Sequence, residues 1–352
     1  MQFVKESIFV ASIRSFCTSF ATILGILIAI TLAFTGLMMI SGPTIYPPKS
    51  DLLIAPDASG NRELLPHTAP VVLKLDISGV IGQGDLTHEK FRNMLYDSRD
   101  GMLAQNRVKA ILLCIDTPGG TVTDSVAIYQ ELDAYKEKYK VPIYAFVDGM
   151  CASGGMYIAC SADKVYASSS SVIGSVGVIL GPTFNFSGLM DKYGVQSMTI
   201  TQGKDKDMLN PFRPWVPGED ASLRNITAIL YDDFVEAVTT ARPRIDRDKL
   251  VGTYGAQIYV SPEAEELGYI DVANSDYQTV LKDLTKAAQI TEDHFYQVIQ
   301  LSPPHNFLSD LTTDCKALFK GKMTHVFQLG PYMDSELSGK FLYLYQPFAE
   351  LH

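Results

Sequence analysis

"VKAILLCIDTPGG", residues 108–120, carries the reading of the fold: an apolar run that stops at Pro118 and ends in two glycines. Its apolar positions do not alternate with polar ones, which marks a strand buried on both faces rather than one with a wet side. Pro118 cannot donate to a ladder, and Gly119 and Gly120 leave bare backbone amides at the strand's carboxyl end. Pro-Gly-Gly also makes plain tight turns, so this segment alone leaves open whether the amides serve a ligand.

Working outward, "VVLKLDISGVI" (residues 71–81) is a second strand of the same kind, ending at Gly79. Downstream, "DSVAIYQELDAYKEKY" places Val126, Tyr129, Leu132 and Tyr135 on one helical face, and "VPIYAFVDG" is a third strand. Apolar strands separated by helices predict an α/β fold with a mostly parallel sheet covered on both faces. Ligands bind such sheets at the carboxyl ends of the strands. Further on, "VQSMTI" (195–200) reads as an apolar strand and residues 219–241 as a long helix with a polar face. "GAQIYVSPEAEELGYIDVA" (255–273) follows as strand, short helix opened by Ser261-Pro262, and strand.

The start of the chain differs. No charged residue occurs from Phe16 to Pro48, and Phe20 to Ile40 is an apolar run of bilayer-spanning length, where about 20 residues suffice. A cleaved signal peptide is the alternative, but its apolar region would be ~7–15 residues and "GLMMISG" makes a poor cleavage site. The expected organisation is a tail (1–16), one N-terminal transmembrane helix (17–42), and a Pro/Gly/Ser-rich linker (43–69). A catalytic domain (70–284) and a C-terminal extension (285–352) follow, the latter an appended tail suited to assembly or membrane contact. Lys5 and Arg14 precede the span with only Glu6 against them, and the next basic residue is Lys49. The positive-inside rule then places the domain on the extracytoplasmic side of the cell inner membrane.

A net charge of −10 argues against nucleic acid as a partner. The five cysteines, at 17, 114, 151, 160 and 315, form no CxxC pair and are odd in number, which reads as neither a disulfide framework nor a zinc site. Cys114 and Cys160 lie in apolar runs and read as small core residues. No metal and no cofactor is expected.

"GMCASGGMYIACSADKVYASSSSVIGSVGV" (149–178) holds seven serines among glycines and alanines. Acyl transfer needs an exposed hydroxyl, a base, and donors for an oxyanion. Ser153 follows the third strand and opens a helical spacing, where free N–H groups and the helix dipole favour developing negative charge. Gly154 offers one such N–H; the competing reading is that Ser153 merely caps the helix. No histidine lies between His88 and His294, so a proton acceptor has to be a lysine, which desolvation can render neutral near pH 7. Lys164 beside Asp163 reads as a surface residue. "TQGKDKDMLNPF" (201–212) offers Lys204 and Lys206, although such a run is also what a solvated loop looks like.

The ordered set "DTPGG", "ASGGMYIA", "ADKVYAS", "IGSVGV", "GKDKD" followed by "NPFR", and "EAEELGYID" resembles the signal peptide peptidase A family, over roughly residues 70–275. These are membrane-anchored serine proteases related in fold to the Clp proteolytic subunit and the crotonases. The resemblance implies repeated β-β-α units, Ser153 as nucleophile, Lys206 rather than Lys204 as general base, and Ser175 holding the lysine amine. It further implies amides of Gly154 and of Gly119 or Gly120 as the oxyanion hole, signal peptide remnants as substrates, and a homo-oligomer. Met156 stands where an aromatic is common, and Asn210-Pro211 replaces a more usual Ser-Pro. The alternatives are a crotonase-type acyl-CoA enzyme and a non-catalytic assembly protein of the same fold.

Overall fold

The computed structural model describes residues 8–40, 49–290, 295–304 and 340–345. The chain divides into two units, Met1–Pro48 and Lys49–His352. In the first, α1 (Ile8–Ile40) is one continuous helix, and its segment Phe9–Ala33 is apolar enough to cross a membrane, with a mean hydropathy of 2.2. It begins nine residues before the expected anchor boundary at 17.

In the second unit the elements run β1 (Asp51–Ala55), β2 (Val71–Ser78), α2 (His88–Asp97), β3 (Val108–Thr117), β4 (Gly119–Thr121), α3 (Val122–Tyr139), β5 (Ile143–Ala152) and α4 (Gly154–Ala159). They continue as β6 (Lys164–Ala167), β7 (Val172–Gly174), α5 (Ser187–Tyr193), α6 (Ala221–Ala241) and α7 (Arg247–Lys249). The last are β8 (Ile258–Val260), α8 (Ser261–Leu267), α9 (Tyr277–Ala287), β9 (Gln297–Ser302) and β10 (Leu342–Leu344). The main sheet has the order β1-β9-β2-β3-β5-β7-β8, with β6 also paired to β5. Pairing is parallel from β9 through β7, and antiparallel where β1 and β8 close the two edges.

The three apolar strands behave as their composition demands. Leu73, Leu75, Ile111, Leu113, Ile143 and Ala145 face one hydrophobic cluster, shared with α2, α3, α4 and α6. Their neighbours Val72, Leu112, Tyr144 and Phe146 face the other, closed by Val280, Leu281 and Leu284 of α9. Side chains alternate across a strand, so an unbroken apolar run is what two covered faces require. Each fully buried Leu or Ile contributes about 1.5–3 kcal/mol relative to exposure.

Four expectations are corrected. Residues 285–352 are not merely an appended tail: β9 lies beside β2 inside the main sheet, and β10 pairs with β4. Residues 43–69 are not wholly linker, because β1 covers the outer edge of β9. Residues 195–200 form no strand; Met198 and Ile200 are 86% and 84% exposed, and no neighbouring strand meets them. After α8 the chain makes a single bridge, Tyr166 to Val272, instead of a second strand. Cys160 is buried, whereas Cys114 is half-buried between Lys74 and Asp76 on the α9 side; burial pushes both thiols up to about 12. Cys315 lies outside the described residues.

Candidate active site

The carboxyl ends of β3 and β5 meet at the proposed site. β5 ends at Ala152, and Ser153 occupies the N-cap position of α4 with φ 54° and ψ −112°. Its hydroxyl makes no cap hydrogen bond, so the capping role that the sequence left open is not performed. An L-residue held in such a region stores roughly 1–3 kcal/mol of strain, which persists only where the surroundings impose it. Here the imposing bonds are the Ser153 N–H to the Gly174 carbonyl (2.9 Å) and the Tyr157 N–H to the Ser153 carbonyl (3.0 Å). Ser153 is 1% exposed.

Several other serines of the stretch are engaged. The Ser161 hydroxyl donates to the Ile158 carbonyl at 2.8 Å, the Ser171 hydroxyl to the Val147 carbonyl at 2.9 Å, and Ser168 shares a bond with Ser171 at 2.8 Å. Ser175 follows β7 directly, with φ 56°, and its N–H donates to the Gln257 carbonyl at 2.7 Å. The β7–β5 pairing and the Ser153–Gly174 bond bring the two serines' backbones together.

The glycine pair behaves unequally. The Gly119 N–H is already taken by the Thr117 hydroxyl (3.1 Å), whose own proton goes to the Gly79 carbonyl (2.5 Å). Gly120 lies opposite Tyr343 in the β4–β10 pairing, and a Cβ there would collide with the Ile81 backbone. A Cβ built at Gly119 would lie 2.8 Å from the Gly154 nitrogen, so β4 and the start of α4 are in close approach. Gly154, in the first turn of α4, has no intrahelical acceptor for its N–H. β4 and the start of α4 therefore approach one another next to Ser153. The far end of α4 is held by the buried Arg242, which donates to the Ala159 and Ala162 carbonyls at 3.0 and 3.2 Å and pairs with Asp271 at 2.9 Å.

Lys206 is placed elsewhere. Residues 181–218 are largely exposed, and Lys206 sits in a turn whose bond to the Gly203 carbonyl is 3.4 Å, not in an extended segment. With Lys204, Asp205, Arg213 and Glu219 it lines a cavity of about 470 Å³ that neither serine lines. The turn is held by Arg213, which bonds both Asp207 and Glu219 at 2.7 Å. Hydrogen bonds from Arg213 and then Asn210 hold the Asp207 carboxyl below its ordinary range.

Sequence reading missed the wall of the pocket. Tyr157 on α4 and Phe234 on α6 have ring centroids 5.2 Å apart, and Tyr343 of β10 packs against both. Tyr157 stood four residues after Ser153, one helical turn on, which was the available signal; Phe234 and Tyr343 had none. A further cavity of about 730 Å³, lined in part by Val178, Ile179 and Tyr231, opens beside β10. Among the described residues no group of three or more His, Cys, Asp or Glu could hold a metal ion.

Ser153 is thus buried, strained and uncapped at the carboxyl end of β5, with the glycines of β4 in close approach to the start of α4. Residues 135–291 match Peptidase family S49. A protein of Enterococcus faecium named "Putative signal peptide peptidase SppA" is 30% identical over 63% of this chain and 64% of its own length. Another, "Putative protease slr0021" of Synechocystis sp., is 32% identical over 58% of this chain and 70% of its own. The chain belongs to Peptidase family S49. It spans 64% of the length of the Enterococcus relative. A solved membrane-bound stomatin-specific protease is 16% identical with a TM-score of 0.41, covering 67% of this chain and all of that one.

Proposed function

We propose that the chain is a membrane-anchored serine endopeptidase that cleaves extended peptides, such as signal peptide remnants, through a Ser153/Lys206 dyad. Ser153 Oγ attacks the peptide carbonyl carbon while its proton passes to neutral Lys206 Nζ. The amides of Gly120 and Gly154 hold the oxyanion. On collapse the C–N bond breaks, Lys206 returns the proton to the leaving amine, and an acyl-Ser153 ester remains. Water then adds to that ester, again losing a proton to Lys206, and releases the new carboxylate. Ser175 accepts or donates a bond to the lysine amine and keeps it aimed. The observation that carries this reading is Ser153 itself, uncapped and held at φ 54° beside the two glycines. Membership in a peptidase family favours a peptide over an acyl thioester as the acyl donor.

Lys206 has to be brought to Ser153 and desolvated for this chemistry. The arm that carries it exposes Phe184, Phe186, Leu189, Met198, Ile200 and Val216, an apolar load unusual for a free surface. We therefore read this arm as covered in a homo-oligomer, with α1 in the inner membrane and the domain outside the cytoplasm. Labelling with a fluorophosphonate tests the whole reading. The full chain is expected to label and to cleave peptides, Ser153→Ala to do neither, and Lys206→Ala to lose cleavage. Full labelling of Ser153→Ala would overturn it.

A further inference from the structure

The parallel strands β2 and β3 begin at the end of the sheet opposite Ser153, and a buried cation sits there. The turn before β3 carries Gln105 and Asn106 with φ 60° and 57° and delivers Arg107 to the start of the strand. The Arg107 backbone is fixed in place, because its carbonyl accepts from the Val71 N–H at 2.8 Å. Arg107 is 8% exposed. Its Nε donates to the Ala69 carbonyl at 3.0 Å and its Nη1 to the Met102 carbonyl at 2.5 Å, with His67 Nδ1 at 3.5 Å from Nη1. Nη2, by contrast, is buried with no hydrogen-bond partner among the described residues. Burial holds the guanidinium below the usual arginine value. An unpaired donor on a buried cation is costly, and native structures nearly always answer such a group with an acceptor, a water or an ion.

The strand register supplies a second cation beside it. Val71 pairs with Val108 and Val72 with Ala110, so Lys109 is the extra residue of a bulge and faces no residue of β2. Lys109 is exposed, and with Arg107 it lines a cavity of about 450 Å³. Among the described lining residues none is Asp or Glu; Asn106 and Gln289 add neutral polar groups, and Ile290 and Phe295 an apolar side. The carboxyl end of α9 reaches the cavity at Ala288 with a partial negative charge of about half a unit, which two full positive charges exceed. A guanidinium fork takes two oxygens of one anion and an ammonium a further one, which is a donor set suited to phosphate. The apolar side leaves room for an organic group attached to it.

We propose that Arg107 and Lys109 form a binding site for the phosphate group of an organic phosphate, carried by a free phosphate ester or by a phospholipid headgroup. β3 runs 10 residues from this site to the strand end near Ser153, a span of about 30 Å. The site is therefore separate from the cleavage chemistry, and the proposal does not rest on the peptidase reading.

The test titrates the full chain, in an uncharged detergent at constant ionic strength, with inorganic phosphate, glycerol phosphate and a short-chain phosphatidylglycerol. Calorimetry and the thermal midpoint are the readouts. Two charge-assisted hydrogen bonds predict a Kd for inorganic phosphate of about 1 mM or tighter. Saturating phosphate should also raise the thermal midpoint, since it binds only the folded chain. Tighter binding of glycerol phosphate than of phosphatidylglycerol identifies a free ester as the occupant, and the reverse order identifies a headgroup. Lys109→Glu changes an exposed position, so its midpoint without phosphate should match that of the unaltered chain. Its affinity for phosphate should fall about tenfold or more. Arg107→Gln should lose saturable binding. Where that variant does not fold, because it gives up the bonds to Ala69 and Met102, Lys109→Glu decides alone. No saturable phosphate binding by the unaltered chain, equal binding by Lys109→Glu, or an equal response to chloride overturns the proposal.

Discussion

The Ser153 N–H donates to the Gly174 carbonyl at 2.9 Å, and the residue after Gly174 is Ser175. One backbone bond therefore joins the strand end that carries the proposed nucleophile to the strand end that carries its proposed partner hydroxyl. Both serines have positive φ, 54° and 56°, and both are buried, at 1% and 6% exposure. Neither conformation is a local preference of serine. Each is imposed by the sheet, which is how a site keeps a reactive group aimed without relying on a flexible loop.

That imposed strain has a measurable counterpart. Ser153→Gly should raise stability by about 1 kcal/mol, because glycine adopts this backbone region freely, while abolishing cleavage. Ser153→Ala should abolish cleavage with stability within about 0.5 kcal/mol of the unaltered chain. Urea unfolding midpoints and peptide turnover read both; a Ser153→Gly chain less stable than Ser153→Ala would refute the strain argument.

The two lysines of the arm should separate in kinetics. Lys206→Ala is expected to remove nearly all turnover, and Lys206→Arg not to restore it, since guanidinium stays protonated at any working pH. Lys204→Ala should cost less than about threefold in kcat/KM, equivalent to under roughly 0.7 kcal/mol. The reverse pattern would transfer the role to Lys204.

Gly120→Ala should be more damaging to the fold than Gly154→Ala or most surface changes. A Cβ at Gly120 meets three backbone atoms of Ile81, which cannot swing aside as a side chain can. The expected loss is about 1–3 kcal/mol or more, read as a drop in the thermal midpoint. A near-unchanged midpoint would show that β4 and Ile81 are not held as described.

Asp124 supplies a pH-dependent contribution beside β4. Burial alone pushes its carboxyl up, but bonds from the His88 N–H (2.9 Å), the Thr121 hydroxyl (2.5 Å) and the His88 ring (3.1 Å) outweigh that and leave it below the ordinary range. With the folded value depressed, the unfolded chain binds the proton more readily. The contribution is then complete above the unfolded value, about 3.9, and is lost as pH falls through the folded one. Asp124→Asn should cost about 1.5–3 kcal/mol at pH 6, and the gap should narrow as pH falls below the unfolded carboxyl's value. Urea midpoints measured from pH 3 to 7 check this, and a gap independent of pH would contradict it.

Much of the architecture was legible in the residues. The runs at 71–78, 108–117 and 143–152 are apolar without alternation because both of their faces are covered, and that alone implies a parallel sheet between helix layers. Ser153 was legible as the residue between a strand and a helical spacing, and Pro118-Gly119-Gly120 as the end of the β3 strand. A spanning helix was legible by length and apolarity, read at Phe20–Ile40 where the helix's apolar segment is Phe9–Ala33. All of these are local patterns, written by burial within a few residues of one another.

What only the tertiary structure decided are relations between distant segments. β1 and β9 are short and pair across 243 to 251 positions, so neither carries a period of its own and each is a strand because of the other. The same holds for β10, three residues whose identity comes from the Gly119–Thr121 edge and Ile179. The inequality of Gly119 and Gly120 depends on a threonine hydroxyl aimed by the fold. "VQSMTI" has the composition of a strand but meets no neighbouring one, and composition supplies no hydrogen-bonding partner. Propensity is a property of a segment, whereas pairing, burial and register belong to two segments at once, and only folding brings the second one.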